Sequence, residues 1–267
     1  MKKLSIITIC YNEPNLENTC KSIVNQIWQD FEWIVIDGGS NKETQKIWNK
    51  YKYRIDRFIS EPDNGIYDAY NKGIKLAKGK FLNFMNAGDC FYDNNVLYNI
   101  SQFFILNIDI IYGNSFCIFP STPNKNILKT YPNTVNKKYF FDDNLNTQSM
   151  IIKRNLFSKY GAFNTSYKIC ADWDKWITFI KNKKKFIYIP TTISKYNMEG
   201  LSNKINYEDE LHRIQKKHFT PKEIYRIENN VQPEQFTNLE QIFSVKNNDT
   251  HKIITILGIH IKIRRQK

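Results

Sequence analysis

The chain predicts an α/β fold with a mostly parallel sheet flanked by helices, and three observations carry that reading. Strand-type and helix-type segments alternate over the first 115 residues, the pattern of successive βαβ units. Two apolar runs, Trp33 to Ile36 and Phe81 to Met85, each deliver an Asp and Gly to a following loop, as Asp37-Gly38-Gly39-Ser40 and Asn86-Ala87-Gly88-Asp89. At 267 residues, 41% hydrophobic and 15% aromatic, the chain can bury the core of one large domain or of one domain with appendages.

The elements follow in order. Leu4 to Ile9 is a β-branched run and reads as the first strand. Asn15 to Ile27 places Leu16, Cys20, Ile23, Val24 and Ile27 at helical spacing. Glu32 to Ile36 is the second strand, Thr44 to Tyr53 a helix and Asp56 to Ser60 a short strand. Ile66 to Ala77 carries Tyr67, Tyr70, Ile74 and Ala77 on one helical stripe. Lys80 to Met85 is a strand, Asn94 to Leu106 a helix and Asp109 to Tyr112 a strand. The rhythm then breaks. Two short strands flank the Pro120–Asn124 turn between Phe116 and Tyr131. Gln148 to Ile152 reads as a strand, with helices at Asn155 to Tyr160 and Trp173 to Lys181. Short strands on either side of Pro190 span Phe186 to Ile189 and Thr192 to Asn197. Helices follow at Tyr207 to His218 and Pro221 to Asn229. Lys252 to Ile263 alternates as a strand, with a helix as the other reading. These divisions give a first half over 1–115, a mixed region over 116–203 and an extension over 204–267.

Composition removes several classes. No run of about 18 uncharged apolar residues exists, so no membrane-spanning helix is predicted. The first residues lack the long apolar core of a signal peptide and read as a strand. The five cysteines are scattered with no C-x-x-C pair, which indicates reduced thiols rather than zinc or disulfides. The loop after the first strand, Thr8-Ile9-Cys10-Tyr11-Asn12-Glu13, has no glycine, which argues against a nicotinamide or flavin cofactor. The four histidines lie in the last quarter without metal-ligand spacing. The net charge of +13 fits nucleic acid, an anionic membrane surface, or the lysine-rich composition of an AT-rich genome. No nucleic-acid module is present.

In open α/β sheets ligands bind at the carboxyl ends of the strands, so Asp37 and Asp89 mark a candidate site. Asp37 can accept from a base or ribose while Gly38 lets the chain pass close to it; the other reading is a turn that caps the next helix. Tyr11 offers a face on which a base can stack, and Asn12 and Glu13 suit the start of the following helix. In Glu61-Pro62-Asp63-Asn64-Gly65-Ile66-Tyr67-Asp68-Ala69-Tyr70-Asn71-Lys72-Gly73, Asp68 and Asn71 share a helix face and Lys72 can neutralise phosphate. Asp89 beside Gly88 and Asn86 suits Mg²⁺ or Mn²⁺ bridged to a diphosphate. In Ala171-Asp172-Trp173-Asp174, an acid in a partly apolar setting suits a general base, and Asp172 also suits an N-cap.

Together these motifs resemble the family 2 glycosyltransferases of bacterial surface-polysaccharide synthesis. The resemblance spans about residues 3 to 200 and continues weakly to Gly200-Leu201-Ser202. It implies a GT-A fold: a Rossmann-like, mostly parallel sheet with a nucleotide half, a smaller mixed acceptor half and a C-terminal helical and β extension. It implies that Thr8 and Tyr11 line the base site, that Asp37 bonds the base, and that Asp68 and Asn71 lie near the diphosphate or ribose. Asp89 matches the last acid of the metal motif, with Ala87 in place of its first acid, and Asp172 matches the catalytic base. Thr147 stands where many relatives carry His. The implied activity is inverting, single-addition hexosyl or N-acetylhexosaminyl transfer from a nucleotide-sugar, with UDP the default nucleotide. The implied acceptor is a saccharide, lipid-linked, in capsule or lipopolysaccharide synthesis. The implied location is cytoplasmic, and the basic tail Lys252 to Lys267 reads either as a hold on the inner membrane face or as a final strand packed on the domain. The rival reading is a decayed, non-catalytic scaffold of the same fold.

Overall fold

The computed structural model describes residues 2–200, 203–230, 243–247, 251–256 and 259–264. Two compact units are present, Met1–Ile214 and Gln215–Lys267.

In the first unit, β1 (Leu4–Cys10), β2 (Phe31–Asp37), β3 (Arg57–Ser60) and β4 (Phe81–Phe84) form the parallel part of the sheet, in the order β3-β2-β1-β4. All residues of β1 and β2 are buried, because helices cover both faces of the strands, and this is why their sequences are continuously apolar. One face packs on α1 (Leu16–Val24), α2 (Lys42–Tyr51) and α4 (Val96–Ser101) through Leu4, Ile6, Trp33 and Val35. On the other face Ile7 meets α3 (Ile66–Leu76), and Phe84 packs among Tyr70, Phe157 and Phe163.

Beyond β4 the sheet turns mixed. β8 (Met150–Lys153) pairs antiparallel with β4 and with β6 (Ile110–Ile118). β6 runs parallel to β9 (Phe186–Asn197) and antiparallel to β7 (Ile127–Lys129), and β9 closes on the short β5 (Cys90–Phe91). The two strands expected around Pro190 are one strand. The register jumps from Tyr112–Tyr188 to Asn114–Thr192, so Pro190 sits in a bulge where its missing N–H breaks no ladder bond. The helix expected over Asn94 to Leu106 tightens after Ser101 into a 3-10 turn, Gln102–Ile105. α5 (Tyr139–Asp142), β5 and β10 (Phe243–Asn247) were not anticipated; α6 (Asn155–Tyr160) and α7 (Ala171–Lys181) were.

α8 (Glu208–His218) begins in the first unit, which ends at Ile214. In the second unit, α9 (Pro221–Glu228) opens with a reciprocal Thr220–Glu223 capping box. The isoleucine-rich stretch expected as one strand is a hairpin, β11 (His251–Ile256) and β12 (Ile259–Arg264), joined by β10 in an antiparallel sheet. The membrane role expected of this tail rests on side chains, and on Arg265 to Lys267, that lie outside the described residues. Leu201 and Ser202, where the resemblance fades, also lie outside them. No helix of the described residues is long and apolar enough to cross a membrane.

Cys10, Cys20, Cys117 and Cys170 are buried and Cys90 half-buried, and all five are unpaired. Burial raises every one of these thiols, Cys10 to about 12 and Cys90 to about 11.

A buried acid ties the amino ends of the central strands. Oε1 of Glu32 accepts from Ser5 Oγ at 2.6 Å, Lys78 N at 2.5 Å and Gly79 N at 2.9 Å. Gly79 passes so close that an added Cβ would lie 2.6 Å from Leu4 C and Ser5 N. Gly79→Ala is therefore expected to cost about 1–3 kcal/mol, as overpacking against backbone does. A denaturation midpoint equal to that of the parent would show that the loop yields freely.

Candidate active site

β1 leaves the sheet between strands that run off in opposite directions, and the loops after β1, β2 and β4 meet at that switch point. The first loop is strapped to the second. Asn12, with φ of 51°, donates its N–H to Ser40 Oγ at 2.9 Å, and its Oδ1 accepts from Asn41 N at 2.8 Å. The third loop is anchored to α1 by Gly88 N, which donates to Thr19 Oγ1 at 2.9 Å. Gly88 has φ of 96°, and a Cβ there would lie 3.1 Å from Glu13 Cδ. Glu13 also caps the loop by accepting from Asn15 N at 2.9 Å.

Two residues expected to line the base site are buried and bonded within the fold. Thr8 is fully buried, and its Oγ1 accepts from Trp33 Nε1 at 2.9 Å. Asp37 is also fully buried. Its Oδ2 accepts from Ser60 Oγ at 2.6 Å, Gln45 Nε2 at 2.8 Å and Ser40 N at 3.0 Å, and its Oδ1 from Trp48 Nε1 at 3.4 Å. The carboxylate staples β2 to α2 and β3 and has no face toward solvent. The acid that does face this corner is Asp63, which sequence reasoning did not single out. A Cβ on Gly38 would stand 2.8 Å from Asp63 Oδ2 and 3.4 Å from the ring of Tyr11. Tyr11 is 69% exposed, so a ring, a carboxylate and a bare backbone meet at an open surface.

α3 starts at Gly65, with φ of 105°, and Asp68 Oδ2 accepts from Asn64 N at 3.0 Å just before it. Lys72 binds Glu61 at 2.9 Å and lies 3.6 Å from Asp68; the bond to Glu61 raises its pKa. Asn71 is a clamp: it donates to Phe163 O and accepts from Phe163 N, both at 2.9 Å. Both functional atoms of its carboxamide are engaged within the chain, away from the diphosphate role expected of it.

Asn86 faces a cavity of about 310 Å³ shared with Tyr67, Tyr70, Asp143, Thr147 and Asp172. Its Oδ1 accepts from Tyr70 OH at 2.8 Å. Asp89, three residues on, turns back into the protein. It is 5% exposed; Oδ2 accepts from Gln148 Nε2 and Oδ1 from Asn197 N, each at 2.8 Å. Desolvation pushes its pKa up to about 7 against the pull of those donors.

Asp172 lies in the first turn of α7; Cys170 is the N-cap residue, so the capping alternative for Asp172 does not hold. Its Oδ1 accepts from Trp173 N at 2.7 Å and Tyr67 OH at 3.1 Å, and its Oδ2 from Thr147 Oγ1 at 2.8 Å and Asn144 Nδ2 at 3.4 Å. Burial raises its pKa although the bonds from Thr147, Trp173 and Tyr67 lower it. Tyr67 is raised well above 10 by burial first and by the charge of Asp172 second, so it stays a donor. Tyr67 comes from α3, and Asn144 and Thr147 from the connection between α5 and β8, both distant from Asp172 in the chain, which is why no local motif announced them as its partners.

Three expectations follow. Asp63→Asn should weaken nucleotide binding at this corner roughly tenfold by calorimetry, the scale of one hydrogen bond to a charged group. Asp37→Asn should instead lower stability, by about 1–3 kcal/mol, because it opposes donors with a donor; the reverse pattern would return the base contact to Asp37. For Asp89, a pKa held above the unfolded value favours the native state most below about pH 4. That stability is lost as pH rises toward 7, at no more than about 1.4 kcal/mol per pH unit. Asp89→Asn should therefore gain on the parent in melting temperature between pH 5 and 8; a difference that is flat or falls with pH would contradict the buried acid.

The model of glycosyl transferase family 2 matches residues 5–167. A PGL/p-HBAD biosynthesis glycosyltransferase of Mycobacterium tuberculosis is 32% identical over 201 residues, 72% of this chain and 76% of that protein. An uncharacterized glycosyltransferase of Methanocaldococcus jannaschii is 28% identical, covering 81% of each chain. S. aureus TarS 1-349, solved in complex with UDP-GlcNAc, shares the fold with a TM-score of 0.64 at 16% identity, over 80% of this chain and 65% of that one. The mannosyltransferase PcManGT from Pyrobaculum calidifontis, solved with GDP-Man and Mn²⁺, gives a TM-score of 0.55 at 17% identity, over 72% and 56%. The fold is GT-A, and with the family match covering more than half of its length the chain belongs to the family 2 glycosyltransferases.

Proposed function

We propose that this glycosyltransferase moves a sugar with inversion, one addition at a time, from a nucleotide-diphosphate donor to a hydroxyl of a saccharide acceptor. The observation that carries the reading is Asp172, a carboxylate at the wall of the 310 Å³ cavity, held by four donors and raised in pKa by burial. Tyr11, Gly38 and Asp63 form the surface for the base, with uracil the default; Oδ2 of Asp63 can accept from its ring N–H.

The chemistry follows from the carboxylate. Asp172 accepts the proton of an acceptor hydroxyl as that oxygen bonds to the anomeric carbon, and the bond to the donor phosphate breaks on the opposite face. Tyr67 and Thr147 keep the carboxylate aimed while charge leaves it. The transition state is oxocarbenium-like, as in glycoside cleavage. A base works best with its pKa near the working pH, and desolvation moves Asp172 in that direction.

A resident Mn²⁺ or Mg²⁺ would be expected on Asp89 from the family pattern. The residues as arranged do not fit it: both oxygens of Asp89 are engaged inside the fold, and Asn86, which faces the cavity, is neutral. Among the described residues no cluster of three His, Cys, Asp or Glu is placed to hold a metal ion. The family resemblance supports a lipid-linked acceptor in surface-glycan synthesis at the inner membrane face. β7 presents exposed Ile127 and Leu128 next to Lys129, which lines the cavity, and so offers an apolar shelf for such an acceptor.

The test is UDP release from UDP-N-acetylglucosamine and UDP-glucose, with water or added saccharides as acceptor. Asp172→Asn should lower kcat about 10²–10⁴-fold while UDP still binds. In the parent, kcat should fall as pH drops through the Asp172 pKa, at higher pH than an ordinary carboxylate would give. Near-parental turnover by a folded Asp172→Asn protein would remove Asp172 from the mechanism.

A further inference from the structure

The segment just ahead of the Asp172 helix is held from a distance. α8 lies beyond the part of the chain that the family model matches, which ends at residue 167. Its Glu210 accepts three consecutive backbone N–H groups: Lys168 N at 2.6 Å on Oε1, and Ile169 N at 3.2 Å and Cys170 N at 3.1 Å on Oε2. One turn on, the Arg213 guanidinium stands 4.7 Å from the centre of the Tyr167 ring, and its Nη2 donates to Ser166 Oγ at 3.4 Å. Two side chains of one helix thus grip residues 166–170.

Two physical points give this grip its meaning. Cys170, the N-cap residue of α7, makes no side-chain cap bond. The carboxylate of Glu210 stands at that end, where amides lack helical partners and negative charge is favoured. Ile169 and Cys170 also line the cavity, and Asp172 follows two residues later. Fixing three successive amides fixes the path of the chain into the turn that aims the Asp172 carboxylate. A displacement of about 1 Å at a reacting group costs on the order of 10²-fold in rate.

We infer that Glu210 is a positioning residue for the reaction, setting the entry of the Asp172 helix through its three backbone bonds. The inference rests on the reading of Asp172 as the base.

The experiment compares Glu210→Gln and Glu210→Asp with the parent and with Asp172→Asn. The readouts are UDP release from UDP-N-acetylglucosamine and UDP-glucose, the KM for each donor, UDP affinity and thermal melting. Gln turns an NH₂ group toward the gripped amides, whereas Asp keeps both acceptor oxygens on a stem one methylene shorter. Glu210→Gln should lower kcat about 10- to 100-fold, with donor KM and UDP affinity within about twofold. Glu210→Asp should recover most of the rate. A folded Glu210→Gln protein with kcat within twofold of the parent overturns the inference. So does a loss that falls on kcat, donor KM and melting temperature together and is not recovered by Asp, since that marks a structural role only. Should Glu210→Gln fail to fold, Glu210→Ala, which removes the acceptor oxygens without presenting an NH₂ group, decides on the same readouts: a lowered kcat at unchanged KM supports the inference, and a parental kcat overturns it. Failure of the underlying reading shows separately, as near-parental release by Asp172→Asn.

Discussion

Four donors converge on the carboxylate of Asp37 at the carboxyl end of β2, three on Oδ2 and one on Oδ1. An acid withdrawn from water has to be met in this way, because an unpaired buried charge is among the most destabilising features a fold can carry. Here the need organises the functional edge. Meeting it draws α2, β3 and the Gly38–Ser40 turn onto one point, and that turn is the floor under Tyr11 and Asp63. Glu32 does the same at the opposite end of the strands, and Asp89 does it between the two halves of the sheet, joining the β4 loop to Gln148 and Asn197. The frame of the site is thus made of acids whose charge is directed inward.

The framing acids differ from the two acids that carry the proposed function. Asp37, Glu32 and Asp89 are enclosed and bound by groups of the chain. Asp63 and Asp172 each keep part of the carboxylate toward open space, over Gly38 in one case and into the cavity in the other. Asn86 shows the same economy of charge: the group that reaches the cavity from the β4 loop is a neutral amide, while the acid of that loop faces the other way.

Much of this was legible in the sequence, and the limits have a physical cause. The strands, the helix at Ile66, the loops at residues 11, 37 and 86 and the acid at 172 follow from apolar periodicity and from where glycine and acid residues punctuate it. Which way Asp37 points does not follow. Strands covered on both faces lose the alternation that would reveal the side on which a residue lies, and β2 is apolar on both. The partners of Asp172 were hidden for a different reason. Tyr67 lies 105 residues away in the chain and Thr147 25, and only the tertiary fold brings them to one carboxylate. The grip of Glu210 on residues 168–170 is of that kind too. Pro190 misled in the opposite direction: a residue that ends most strands is accommodated here by a bulge.

The five buried thiols have a practical consequence. Only the thiolate attacks an alkylating reagent, and burial keeps all five side chains protonated through the neutral range. The native protein is therefore a quiet background for maleimide chemistry. One cysteine introduced at the exposed position of Tyr11 would accept a fluorophore selectively, without prior removal of the natural five, and would report directly on the surface proposed for the base.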